Sequence, residues 1–128
     1  MILTDTSVVI VYARGKDAKL NALMPTLPLA ICGVVRAELL CGVRDAAHRG
    51  HLLSLLSPFQ HIPIAEAIWD AVGDNLARLR LNGLTVPFPD LIIATLAIES
   101  GIEVWARDAH FRAMQRIFSS LMLYHEAP

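Results

Sequence analysis

Five short β-rich runs recur along the chain, and helical stretches separate them. The runs are MILTD at the start, LAICG at 29–33, HIPI at 61–64, IEVWA at 102–106 and SLMLYHE at 120–126. Between them, SVVIVYARG begins a helix beyond a turn, and KDAKLNALM reads as a short helix ended by Pro25 and Pro28. VVRAELLCGVR sets Val35, Leu39 and Val43 at i, i+4 and i+8, which is helical spacing, and DAAHRGHLLSLLS continues as a second helical piece. AEAIWDAVGDNLARLRLNG is the longest predicted helix, with Ile68, Val72, Leu76 and Leu79 as its apolar stripe and Asp70, Asp74, Arg78 and Arg80 outside. Asn82-Gly83 supplies its stop. TVPFPD reads as an extended approach to LIIATLAIES, a nearly all-apolar helix that belongs deep in a core, and RDAHFRAMQRI is the last helix. Short strands separated by helices of this length predict βαβ units. The fold class expected is therefore α/β, with a parallel sheet covered on both faces.

With 128 residues the chain is long enough for one domain with a buried core, spanning 1–128. The apolar fraction of 55% against 18% charged excludes a disordered chain. A net charge of −1 gives no bulk basic field, so nucleic-acid binding requires local clustering of the nine arginines and two lysines. The opening residues do not read as a secretory signal, because Asp5 interrupts the first apolar run. No apolar stretch reaches the length of a membrane span. Cys32 and Cys41 match no common zinc spacing and read as buried thiols of a reduced, cytoplasmic protein.

In a parallel α/β fold, ligands sit beyond the C-terminal ends of the strands. Four acids fall at or near such places. Asp5 ends the first strand, Glu38 lies one turn into the helix after LAICG, Asp90 opens the apolar helix, and Asp108 follows IEVWA. Each has a bland explanation in helix capping or an Asx-turn, except Glu38, which sits between VVRA and LLCG where a cap has no use. Four acids on one edge repel strongly at low dielectric, and a divalent cation relieves that repulsion. Carboxylate oxygens without thiolates or histidine pairs point to a hard ion, Mg²⁺ or Mn²⁺, of the kind that serves phosphodiester hydrolysis.

These residues carry a resemblance. LTDTSVVI, VVRAELLCGVR, VPFPDLIIATLA and VWARDAHF, in this order and spacing, resemble the PIN-domain ribonucleases and in particular the VapC-type toxins of toxin–antitoxin pairs. The resemblance spans essentially the whole chain. It implies a three-layer α/β/α sandwich and Mg²⁺- or Mn²⁺-dependent endoribonuclease activity, with Asp5, Glu38, Asp90 and Asp108 as catalytic, metal-binding acids. It also implies RNA as substrate, a cognate antitoxin as partner, a homodimer and no membrane association.

There are departures. Relatives often carry Thr or Ser two residues before the last acid, where this chain has Ala106; Thr6 or Ser7 can cover part of that role. Ala109 and His110 replace a further acid found in some relatives, and His110 reads as a helix-surface histidine with a secondary candidacy as an outer support of the metal-binding acids or as a phosphate contact. Arg36, Arg107 and Arg112 are the expected RNA contacts near the acids, with Arg14 at the exit of the first strand and Arg116 continuing the Arg112 face. A receiver-like signalling domain is disfavoured, because Asp5 stands alone early and no lysine follows Lys19. The alternative that stays open is a catalytically silent PIN-like module that only binds a protein.

Overall fold

The computed structural model describes residues 1–127. Strand β1 (Ile2–Thr4) enters the core and is followed at once by helix α1 (Thr6–Arg14). Asp5 makes the junction: its backbone is extended and its carboxylate caps α1 by accepting from the Ser7 backbone N–H. The left-handed Gly15, at φ 69°, ends α1. Asp17 then caps α2 (Ala18–Leu23), and Pro25 sits in a 3-10 turn over Met24–Thr26. The chain goes on through β2 (Leu29–Cys32), α3 (Gly33–Cys41), α4 (Ala46–Leu56), β3 (Gln60–Ile62), α5 (Ile68–Leu81), α6 (Phe88–Ser100), β4 (Glu103–Trp105), α7 (His110–Gln115) and β5 (Met122–Leu123).

All pairings among these strands are parallel, in the order β3-β2-β1-β4-β5, with Ile2 opposite both Leu29 and Glu103. The predicted parallel sheet and the three-layer α/β/α sandwich are thus observed. The order reverses at β1: β2 and β3 are added on one side, β4 and β5 on the other. In a fold of this kind right-handed crossovers send the helices leaving β1 and β4 to opposite faces and leave a crevice between these two strands at their C-terminal ends. That crevice is the place where the fold can hold a ligand.

Helix α6 is the hub of the core. Every residue from Asp90 to Ala97 is buried, and α6 packs against α5, α7 and β4. The α5 stripe behaves as its spacing predicts, with Ile68, Val72 and Leu79 buried and Asp70, Asp74, Arg78 and Arg80 exposed. Two expectations are corrected. TVPFPD is not extended throughout, because Phe88, Pro89 and Asp90 already form the first turn of α6, where a proline loses no hydrogen bond. Cys32 is buried as expected but Cys41 is exposed, since it falls on the outer side of the last turn of α3. Among the described residues no helix is long and apolar enough to cross a membrane.

Candidate metal centre

Asp5 is fixed from three directions. Its backbone N–H donates to Trp105 O at 2.9 Å, which ties the end of β1 to the end of β4. Its Oδ2 accepts from the Ser7 backbone at 3.1 Å and from the Ser7 hydroxyl at 2.6 Å. The same hydroxyl oxygen accepts from the Arg107 backbone N–H at 2.9 Å. Ser7 therefore clamps the two strand ends together and orients the Asp5 carboxylate.

Asp90 comes from a different element. It lies in the first turn of α6, where the helix dipole favours an anion. Its Oδ2 stands 2.8 Å from His110 Nδ1. Asp108 accepts from the His110 backbone at 2.9 Å, and its Oδ1 is 3.5 Å from His110 Nδ1. Ligand atoms of Asp90, Asp108 and His110 all lie within 4.8 Å of one another. Asp108 thus does help to open the following helix, as the bland reading held, and it also faces the acidic cluster.

Glu38 is placed differently from the expectation. It is exposed on α3, so its apolar sequence neighbours mark the helix's other face and do not bury it. It still reaches the crevice rim, where Glu38 Oε1 accepts from the Thr6 hydroxyl at 2.8 Å. Thr6 and Ser7 each hold one of the acids, so hydroxyls near the site are supplied from α1 although Ala106 has none.

The electrostatics follow from this crowding. Burial pushes the Asp90 carboxyl up to about 6, and the negative charges of Asp108 and Asp5 push in the same direction, while His110 opposes them. Burial likewise raises Asp5, against the lowering effect of the Ser7 hydrogen bonds, and Asp108 adds to the rise. Asp5 and Asp90 are 3% and 8% exposed, so little water screens their repulsion. Carboxylates that raise one another in this way fit a divalent cation. An oxygen-dominated set suits Mg²⁺, and the one imidazole favours Mn²⁺.

Two basic residues behave unlike the expectation. His110 is not a plain surface histidine; it sits on Asp90. The charge of Arg107, expected to face RNA, is instead shared between Glu126 at 2.7 Å and Asp17 at 3.3 Å. Trp105 Nε1 joins the same Glu126 oxygen that accepts from Arg107 Nε. Arg112 is exposed and lines a groove with Asp108, and Arg36 lies 3.5 Å from His61. The tie through Glu126 had no local signal, since the partners lie 19 and 21 residues away.

Comparison with known proteins agrees with this architecture. VapBC2 from Rickettsia felis, solved bound to a DNA fragment from its promoter, has a chain that superposes with a TM-score of 0.85 at 22% identity, over 97% of this chain and 98% of that one. The DNA-bound VapBC of Salmonella typhimurium gives 0.81 at 19% identity, covering 96% of each chain. The Mycobacterium tuberculosis VapC20, described as a sarcin-ricin loop cleaving toxin, gives 0.66 at 18%, over 88% of this chain and 94% of that one. At these identities the likeness speaks to the fold. No curated relative matches in sequence. The sequence model of the PIN domain matches residues 2–117, nearly the whole sheet with its acidic crevice, and the chain belongs to the PIN domain family.

Proposed function

We propose that this chain is a metal-dependent endoribonuclease of the VapC type, the toxin of a toxin–antitoxin pair, working in the cytoplasm as a single nuclease domain over residues 1–128. The observation that carries the reading is the convergence of Asp5, Asp90 and Asp108 at the switch point of the sheet, where burial and mutual repulsion raise two of them. Asp5, Asp90 and Asp108 are the residues that hold the Mg²⁺ or Mn²⁺ ion, with Glu38 at the rim. When bound, the ion supplies charge neutralisation of the scissile phosphate and an acidified water.

The chain's own groups do the rest. Ser7 fixes the direction of the Asp5 carboxylate, and His110 fixes that of Asp90. Glu38, at the rim, accepts the proton of the attacking water. Water adds in line to phosphorus, the bond to the 3′ oxygen breaks, and that oxygen takes up a proton from solvent water, leaving a 5′-phosphate and a 3′-hydroxyl. Neighbours of known structure are toxin–antitoxin complexes, which supports an antitoxin as the inhibitory partner; the working form proposed is a homodimer.

The test is cleavage of 5′-labelled RNA by the purified chain with Mn²⁺. Wild type is expected to cut and to stop on chelation, while Asp5→Asn melts cooperatively and does not cut. Wild-type cleavage by Asp5→Asn, or cleavage that survives chelation, overturns the reading. A silent binding module, the alternative, requires that wild type give no chelator-sensitive products.

A further inference from the structure

A groove of about 690 Å³ runs beside the acidic crevice, between α1 and the α3–α4 pair. Glu38 stands at its wall and is bonded to Thr6, the residue after Asp5, so the groove adjoins the crevice. From there α1 carries the groove away from the acids. Asp5 caps the start of that helix, and Arg14 closes its last turn. The helix is nine residues long, a rise of about 13 Å. Lys16 continues beyond the turn at Gly15, and Arg44 and His48 face them from the other wall. Ile10, 39% exposed, gives the floor an apolar strip.

The charges of this groove are uncommitted. Among the described residues Arg14, Lys16 and Arg44 form no ion pair, whereas Arg107 is held by two carboxylates. In a chain whose net charge is −1, three free cations on one groove with a single acid at its end are a local positive field. A groove with its cations gathered at one end, an apolar stretch between, and its single acid at the end bonded to Thr6 complements a polyanion cut beyond that acid.

We propose that this groove is the track for the RNA backbone on one side of the scissile phosphate, with Arg14, Lys16 and Arg44 as its phosphate contacts and Ile10 as a surface for a ribose or base. The assignment rests on the nuclease reading of the acidic crevice. It moves the expected contacts from Arg107, whose charge is taken, to the far end of α1.

The experiment is fluorescence anisotropy with a labelled single-stranded RNA twelve-mer in EDTA, where nothing is cut, over a range of KCl. Arg14→Gln/Arg44→Gln is compared with wild type and with Arg78→Gln/Arg80→Gln, which removes the same charge on α5, away from the groove. Losing two phosphate contacts is expected to lower the salt slope by about 1.4 and the affinity about 10- to 25-fold near 0.1 M salt. The control pair is expected to stay within about twofold, since only bulk charge has changed. All four positions are exposed, and a thermal melt verifies the fold of each variant. Unchanged affinity and slope in the groove variant overturns the proposal, and so does an equal loss in the control, which would reduce the effect to net charge. If the groove variant instead keeps its RNA affinity and loses capture of an acidic peptide, the groove belongs to a protein partner and the proposal fails. Calorimetric Mn²⁺ binding by the groove variant separates the two levels: it is expected to match wild type. Absence of Mn²⁺ binding in wild type removes the nuclease reading, whatever the groove does.

Discussion

Replacing Asp90 with asparagine is expected to stabilise the metal-free protein at neutral pH. Asp90 is 8% exposed, and its carboxyl stands at about 6 against 3.8 in an unfolded chain. A carboxyl raised in the folded state contributes stability below its unfolded value and loses it as pH rises through the folded value. Ionised Asp90 is therefore a cost to the fold at pH 7, of about 3 kcal/mol as an upper bound from the shift. Side-chain relaxation and water at the crevice mouth reduce this to about 1.5–3 kcal/mol, or roughly 5–10 °C in Tm for a domain of this size. The asparagine side chain keeps the shape and an oxygen for His110 without the charge. The assay is a series of thermal melts in EDTA from pH 4 to pH 7.5. The gain is expected to be largest at pH 7–7.5 and to shrink to about 0.5 kcal/mol at pH 4, where the wild-type carboxyl is neutral in the folded state and about half neutral in the unfolded one. Adding Mn²⁺ should reverse the order, because the wild type gains binding energy that the variant lacks. A destabilised variant at pH 7, or a gain that does not change with pH, refutes the reasoning.

Three other outcomes follow from the same geometry. Ser7→Ala removes the 2.6 Å hydrogen bond that lowers Asp5, so the Asp5 carboxyl should rise further and the rising limb of the cleavage pH profile should move to higher pH. His110→Ala deletes the only imidazole within the Asp90–Asp108 cluster among the described residues, and Mn²⁺ affinity measured by calorimetry should fall about 10-fold or more while Mg²⁺ affinity changes less. Glu126→Gln breaks a paired contact to Arg107 that is about one-third exposed, and should cost about 0.5–1 kcal/mol in a denaturant titration, less at high salt.

Much of the fold was written locally. The apolar runs at LAICG and IEVWA, the α5 stripe and the all-apolar α6 each carry their structure in their own residues, and the parallel sheet follows from their alternation. The acids were legible for a related reason, since Asp5 and Asp90 break apolar patterns and proved to be buried. The burial expected of Glu38 was misread, because the same argument does not say which face of a helix its neighbours bury; the acid is exposed and meets the site only at the rim, through Thr6. Cys41 failed in the same way, one helical turn further on. His110 was legible as a neighbour of the acids, but its pairing with Asp90 was not, because the two lie 20 residues apart and meet only when α7 starts beside α6. Arg107 has carboxylates 90 residues before it and 19 after it, and no periodicity announces such pairs. Arg14, Lys16 and Arg44 are scattered in sequence and become one groove only through the packing of α1 against α3.

Asp5, Asp90 and Asp108 are proposed to hold one divalent site at the switch point of the sheet. Calorimetric titration of Mn²⁺ into wild type and Asp5→Asn measures it without depending on any substrate. Wild type is expected to show a saturable binding event that Asp5→Asn weakens at least about 100-fold, with both proteins melting cooperatively. Equal Mn²⁺ binding by the two folded proteins, or none by either, would contradict it.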